Sequence, residues 1–257
     1  MFRSILFAIA FYAVTAAMMI GFSYLLFIPR KYAMTAFRRH AKVSLWLQRL
    51  IVGTKIEIRG RDRLPKGPII VAAKHQSAWD TFALVPLLAD PALIMKRELL
   101  WIPFYGWFSA KFKMIFVDRN SGPSALRQMV RDARARADEG RQIVIFPEGT
   151  RQSPGAAPDY KPGVFLLYDQ LKVPCVPVAL NSGLYWPRRS LMRFPGTIVV
   201  EFLEPMPPGL GRLEFTHRLQ EVIEGASDRL LAEAANDPDA PPLPESARER
   251  LKALAAE

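Results

Sequence analysis

The chain has 257 residues, half of them hydrophobic, with 35 Lys and Arg against 24 Asp and Glu and a formal net charge of +11. That length holds one substantial α/β domain plus a short accessory segment, and the charge narrows the partners to nucleic acid, an anionic membrane surface or phosphorylated substrates. A single cysteine, Cys175, excludes an intramolecular disulfide and a Cys-rich metal site, and imidazole chemistry is confined to His40, His75 and His217.

Residues 5–28 run without a charge through Phe7, Phe11, Met18, Ile20 and Phe27. A bilayer core needs roughly 20 apolar residues as helix, so the run is long enough to span. It ends in Pro29-Arg30-Lys31 rather than in a small-residue cleavage site, which disfavours a signal peptide. Arg3 precedes it, whereas Arg30, Lys31, Arg38, Arg39, Lys42 and Arg49 follow, placing the C-terminal side in the cytoplasm by the positive-inside rule. Residues 32–51 mix these bases with Phe37, Trp46 and Leu50, as in a helix lying on anionic headgroups or packed on a domain. Nucleic-acid binding explains the charge but not this apolar start.

After Gly53 the pattern alternates between strand-like and helical runs. Strands are expected at 55–59, 69–73, 92–95, 114–117, 142–146, 175–180 and 197–202, and helices at 124–139, 163–171 and 212–235. The run at 69–73 is apolar throughout, as in a strand covered on both faces. This is the pattern of an α/β fold with helices on a sheet. The expected organisation is an N-terminal anchor (1–52), a domain (53–235), and a Pro-rich linker with a tail (236–257).

Polar residues gather where these strands end. Lys74-His75-Gln76-Ser77-Ala78-Trp79-Asp80 follows the 69–73 strand. A histidine with a carboxylate partner is a base whose tautomer is held and whose cation is stabilised. Positions five apart diverge on one helix, so His75 belongs in the loop and Asp80 in the following helix. Ser77 and Asp80 also read as a capping box, a local role compatible with the first. Phe146-Pro147-Glu148-Gly149-Thr150-Arg151 follows the 142–146 strand; its arginine matches phosphate oxygens, and Glu148 can accept from a hydroxyl or pair with Arg151. Lys96-Arg97 precedes the aromatic stretch Leu99–Trp107, and Val117-Asp118-Arg119 follows it. Bases beside apolar rings suit a phosphorylated lipid. A further stretch, 184–194, mixes Trp186 with Arg188 and Arg189 and reads equally as a headgroup surface or as a plain solvent loop covering the domain.

These segments together resemble the 1-acyl-sn-glycerol-3-phosphate acyltransferases of the PlsC type: His-x4-Asp at 75–80, Leu-Leu-Trp-Ile-Pro-Phe-Tyr-Gly at 99–106, Val-Asp-Arg at 117–119, Phe-Pro-Glu-Gly-Thr-Arg at 146–151 and Val-Pro-Val at 176–178. Gln152 stands where that family often has serine. The resemblance implies a glycerolipid acyltransferase fold, a mixed sheet flanked by helices. It implies His75 as general base, Asp80 as its orienting partner, Glu148, Gly149, Thr150 and Arg151 as the acceptor-binding motif, and Lys96, Arg119 and Arg151 on the phosphate. It further implies acyl-CoA or acyl carrier protein as co-substrate, lysophosphatidic acid as acceptor, no metal or other cofactor, and a cytoplasmic-membrane location. Two other readings compete. One is a transferase for another lysolipid, such as lyso-ornithine lipid; the other is a silent protein that binds anionic lipid.

Overall fold

The computed structural model describes residues 1–118 and 121–256. The chain opens with α1 (Phe2–Gly21), turns tightly at Ser23–Leu26 and returns as α2 (Arg30–Leu47). Then follow β1 (Thr54–Arg59), β2 (Ile70–Ala73), α3 (Trp79–Ala83), β3 (Pro91–Lys96), α4 (Tyr105–Lys111), β4 (Ile115–Val117) and α5 (Gly122–Asp138). The second half contains β5 (Gln142–Ile145), α6 (Gly163–Leu171), β6 (Cys175–Leu180), α7 (Ser182–Tyr185), β7 (Gly196–Phe202), α8 (Arg212–Ala235) and α9 (Glu245–Leu254).

The strands form one seven-stranded sheet of order β1-β7-β6-β2-β5-β3-β4. Every neighbouring pair is parallel except β6 with β7. The sheet is therefore mixed, and its central strands β2, β5 and β6 end on the same edge. These strands are continuous apolar runs because helices cover both of their faces. Val71, Val144 and Val178 pack on one side with Trp79, Phe82 and Trp186; Ile70, Ala72 and Ile143 pack on the other with Met129, Leu167 and Phe215. Residues 70 to 73 are wholly buried, which contributes about 1.5–3 kcal/mol for each large aliphatic side chain.

α1 and α2 form a helical hairpin docked on the domain. Arg30 donates to both carboxylate oxygens of Asp90, at 2.9 and 2.5 Å. Trp79 Nε1–H donates to Gln48 Oε1 at 2.9 Å, and Phe37 stacks on Phe112 with centroids 4.8 Å apart. From α1, Phe7 and Phe11 meet the Trp186 ring edge-on at 5.4 and 5.6 Å, and Ser4 Oγ accepts from the Arg193 N–H at 3.0 Å. The turn Ser23–Leu26 packs near α4. Both ends of α1 thus engage the domain, and the helix lies along it instead of projecting from it. The apolar run 5–28 is broken at Gly21, so it is not one rod. Even so, among the described residues α1 is the one helix long and apolar enough to cross a membrane, and only 11% of its apolar window is buried. Such an exposed apolar surface is that of a membrane-associated protein.

One expectation is corrected. Trp186 does not face headgroups from a loop: it is 6% exposed and forms the seat for α1, with the Arg193 guanidinium 4.2 Å above its ring. The C-terminal segment packs on the domain. α9 buries Ala247 completely, Ser246 Oγ donates to the Pro154 carbonyl at 2.8 Å, and Arg250 pairs with Asp228 at 2.6 Å.

Candidate active site

The loop leaving β2 carries alternating side chains to opposite sides of the sheet edge, continuing the strand's own period of two. By that period His75 and Ser77 fall on one side and Lys74 and Gln76 on the other, where both line a cleft with α8.

His75 Nδ1 lies 3.0 Å from Asp80 Oδ2. That oxygen also accepts the backbone N–H groups of Gln76 and Ser77, at 2.8 and 2.9 Å, while Ser182 Oγ donates to Asp80 Oδ1 at 2.5 Å. Asp80 is fully buried, and these donors satisfy what burial would otherwise leave unpaired. Because a carboxylate only accepts, Nδ1 is the protonated nitrogen and Nε2 carries the free lone pair of a base. The expected capping box does not form, since α3 starts after Ala78 without a side-chain cap; the Asp80 bonds to the Gln76 and Ser77 N–H groups close the turn into α3 and fix the carboxylate beside the imidazole. Ser77 completes the turn by accepting from the Trp79 N–H at 3.2 Å and donating to the Trp186 carbonyl at 2.8 Å. The imidazole itself stacks on Phe146, with centroids 4.0 Å apart and planes 21° from parallel. Its side chain keeps 12% exposure, so the ring is held but reachable.

The loop after β5 clamps the loop that carries His75. Glu148 Oε2 accepts the His75 N–H at 3.1 Å, and the Gln152 N–H donates to the His75 carbonyl at 2.8 Å. Residue 152 acts here through its main chain, so glutamine in place of serine leaves that bond intact. Gly149 closes the turn by donating its N–H to the Phe146 carbonyl at 2.9 Å, with φ of +66°. In that left-handed region a side chain is strained and glycine is not. Thr150 is exposed and Arg151 half-buried, and the Arg151 carbonyl accepts from the Arg188 guanidinium.

Glu148 is expected to meet an acceptor hydroxyl, yet its side chain is wholly enclosed. Its Oε1 lies 2.7 Å from Lys74 Nζ. The ammonium, 2% exposed, also bonds both carboxylate oxygens of Glu224 on α8 at 2.8 Å, and Tyr160 O–H donates to Glu224 Oε1 at 2.8 Å. Burial pushes the Glu148 carboxyl above its usual range, a displacement that Lys74 and the His75 N–H only partly offset. Lys74 and Glu224 of this network line a cleft of about 470 Å³ between α8, α9 and residues 154–158.

Lys96 lies exposed at the end of β3, paired with Glu98 at 3.0 Å, and Arg97 reaches Asp118 at 3.5 Å. Arg119 lies outside the described residues. Sequence reasoning missed Lys74, Ser182, Glu224 and Tyr160; the polar pair Asn181-Ser182 ending an apolar strand was the one available signal.

An imidazole oriented by a buried carboxylate at the carboxyl ends of parallel strands is a candidate general acid–base site, in the place where open α/β sheets bind ligands. Residues 55–181 match the family model described as Acyltransferase. Among known proteins, the chain is 36% identical over 159 residues to a 1-acyl-sn-glycerol-3-phosphate acyltransferase from Pseudomonas aeruginosa, covering 62% of each. It is 32% identical over 160 residues to the mouse 1-acyl-sn-glycerol-3-phosphate acyltransferase alpha, covering 61% of this chain and 56% of that one. The chain thus spans 56–62% of the length of these relatives. The crystal structure of the 1-acyl-sn-glycerophosphate acyltransferase PlsC from Thermotoga maritima shares the fold, with a TM-score of 0.75 at 23% identity over 89% of this chain and 96% of that one.

Proposed function

We propose that the protein transfers a fatty acyl group from a thioester, acyl-CoA or acyl carrier protein, to the sn-2 hydroxyl of lysophosphatidic acid, giving phosphatidic acid. The observation that carries this reading is the His75 Nε2 lone pair, presented beside the β5 loop by an imidazole whose other nitrogen is bonded to Asp80. The names and similarity of the relatives support the substrate class.

In the reaction His75 Nε2 takes the hydroxyl proton as that oxygen attacks the thioester carbonyl. Asp80 stabilises the imidazolium, and the tetrahedral intermediate expels the thiolate, which recovers the proton from His75. An ester and a free thiol result. A positioned base of this kind contributes about 10²–10⁴-fold. Lys96, Arg119 and Arg151 receive the phosphate, Arg151 by a two-pronged contact. Gly149 and Thr150 shape the acceptor loop, and Glu148 serves the acceptor indirectly, by holding the loop of His75. No metal or other cofactor takes part. The hairpin seats the domain on the cytoplasmic leaflet of a bacterial-type inner membrane, in keeping with the bases that follow α1.

The test is product analysis by mass spectrometry, with purified protein, both thioester donors and a panel of lysolipids. Phosphatidic acid is the expected product. Turnover of lyso-ornithine lipid without turnover of lysophosphatidic acid would select another acceptor, and lipid binding without thioester consumption would reject an enzyme.

A further inference from the structure

Away from the hairpin, exposed large apolar side chains cluster at one place among the described residues: Trp101 at 81% exposure, Ile102 at 47% and Trp107 at 52%. They sit on a rigid knuckle. Arg97–Trp101 is a tight 3₁₀ turn, the Tyr105 N–H donates to the Pro103 carbonyl at 2.7 Å, and the Gly106 N–H to the Ile102 carbonyl at 2.8 Å. Phe104 holds a φ of +59°, which costs a non-glycine residue backbone strain. Its ring is packed against Trp107 at 5.1 Å. A strained, hydrogen-bonded turn that holds a tryptophan in the open has a tip shaped to meet something apolar.

We infer that residues 99–107 are a second bilayer contact, a lip that enters the interfacial region beside α1. Continuity argues for lipid. The turn Ser23–Leu26 packs near α4, and its neighbourhood exposes Tyr24 at 56% and Phe27 at 88%, so the knuckle extends the apolar surface of the hairpin. Charge argues the same way: Lys96 and Arg97 are exposed at the root of the knuckle, the depth at which phosphate headgroups lie when the tip is inserted. Tryptophan is the residue type enriched at that interface. The lip would hold the end of β3 at headgroup depth, so that an acceptor lipid reaches Lys96 without leaving the bilayer. That last consequence rests on the acyl-transfer reading; the insertion itself does not.

The experiment uses the full chain with Trp101→Cys carrying an environment-sensitive fluorophore. Cys175 is wholly buried and does not compete for label in the folded protein. Ile9→Cys on α1 and Ala135→Cys, at an exposed position of α5, are the comparison sites. In phosphatidylcholine–phosphatidic acid vesicles the labels at 9 and 101 should shift to the blue and be quenched by an acyl-chain nitroxide, while the label at 135 does neither. A label at 101 that behaves like the one at 135 while 9 inserts would overturn the lip and leave the acyl-transfer reading standing. A shift at 101 that depends on protein concentration without vesicles would overturn it too, in favour of a second copy of the chain.

Discussion

Lys74 Nζ sits 2.7 Å from Glu148 Oε1 in a pocket where both side chains are almost wholly excluded from water. The pair stands back to back with the base, because the other oxygen of Glu148 holds the His75 main chain. Removing one partner of a buried pair typically costs about 3–5 kcal/mol, whereas replacing both is far milder. Lys74→Met should therefore destabilise the protein by about that amount in urea unfolding. Lys74→Met combined with Glu148→Gln should recover only part of the loss, because Glu224, 20% exposed, still lacks its ammonium partner. A double variant as unstable as the sum of the singles would mean that the two side chains are not coupled.

Ser182 Oγ donates to the buried Asp80 carboxylate, and a hydrogen bond to a charged group contributes about 1.5–3 kcal/mol. Ser182→Ala leaves Asp80 with its backbone donors but frees it to turn. The expected result is a kcat for acyl transfer lowered roughly tenfold, equivalent to about 1.4 kcal/mol of barrier, with KM nearly unchanged. Steady-state kinetics on lysolipid checks this; a rise in KM alone would place Ser182 in substrate binding.

The hairpin is fastened in part by a carboxylate. Burial raises the Asp90 carboxyl, but the hydrogen bonds from Arg30 and the charge of Arg141 more than reverse this, leaving it below its ordinary 3.8. A carboxyl depressed in the folded state gives stability that is complete above the unfolded value and is lost as pH falls through the folded one. The stability gap between the native chain and Asp90→Asn should stay constant above about pH 4 and close in more acid solution. Urea midpoints across that range measure it, and a gap indifferent to acid would contradict it.

Gly106 has no room for a side chain: a Cβ there would lie 2.0 Å from the Leu100 carbonyl oxygen. The contact is with backbone, so the turn has to open. Gly106→Ala should lower stability by about 1–3 kcal/mol and expose 99–107 to limited proteolysis. An unchanged digestion pattern would show that the knuckle is not locked in the way described.

Much of the sheet was legible because continuous apolar runs such as Ile70–Ala73 are too short for a core helix and suit a strand covered on both faces. α6 and α8 were legible as helical runs, and both span the expected residues, 163–171 and 212–235. The dyad of His75 and Asp80 was legible because its partners are five positions apart. Its supports were not. Ser182 lies 102 positions from Asp80, and Glu224 lies 150 from Lys74. Contacts of that range come from the order of strands in the sheet, which periodicity does not encode. Lys74 reads as an ordinary polar residue after a strand until Glu148 and Glu224 are seen around it. Trp186, set among arginines, looks like a surface aromatic until α1 is seen seated on it.

The central claim is that the His75 imidazole is the base. The direct measurement is acyl transfer by full-chain His75→Ala, with circular dichroism and the urea midpoint followed in parallel. Retention of the fold with turnover reduced by at least about 10²-fold is the predicted result. A folded variant that still acylates lysophosphatidic acid near the native rate would contradict it.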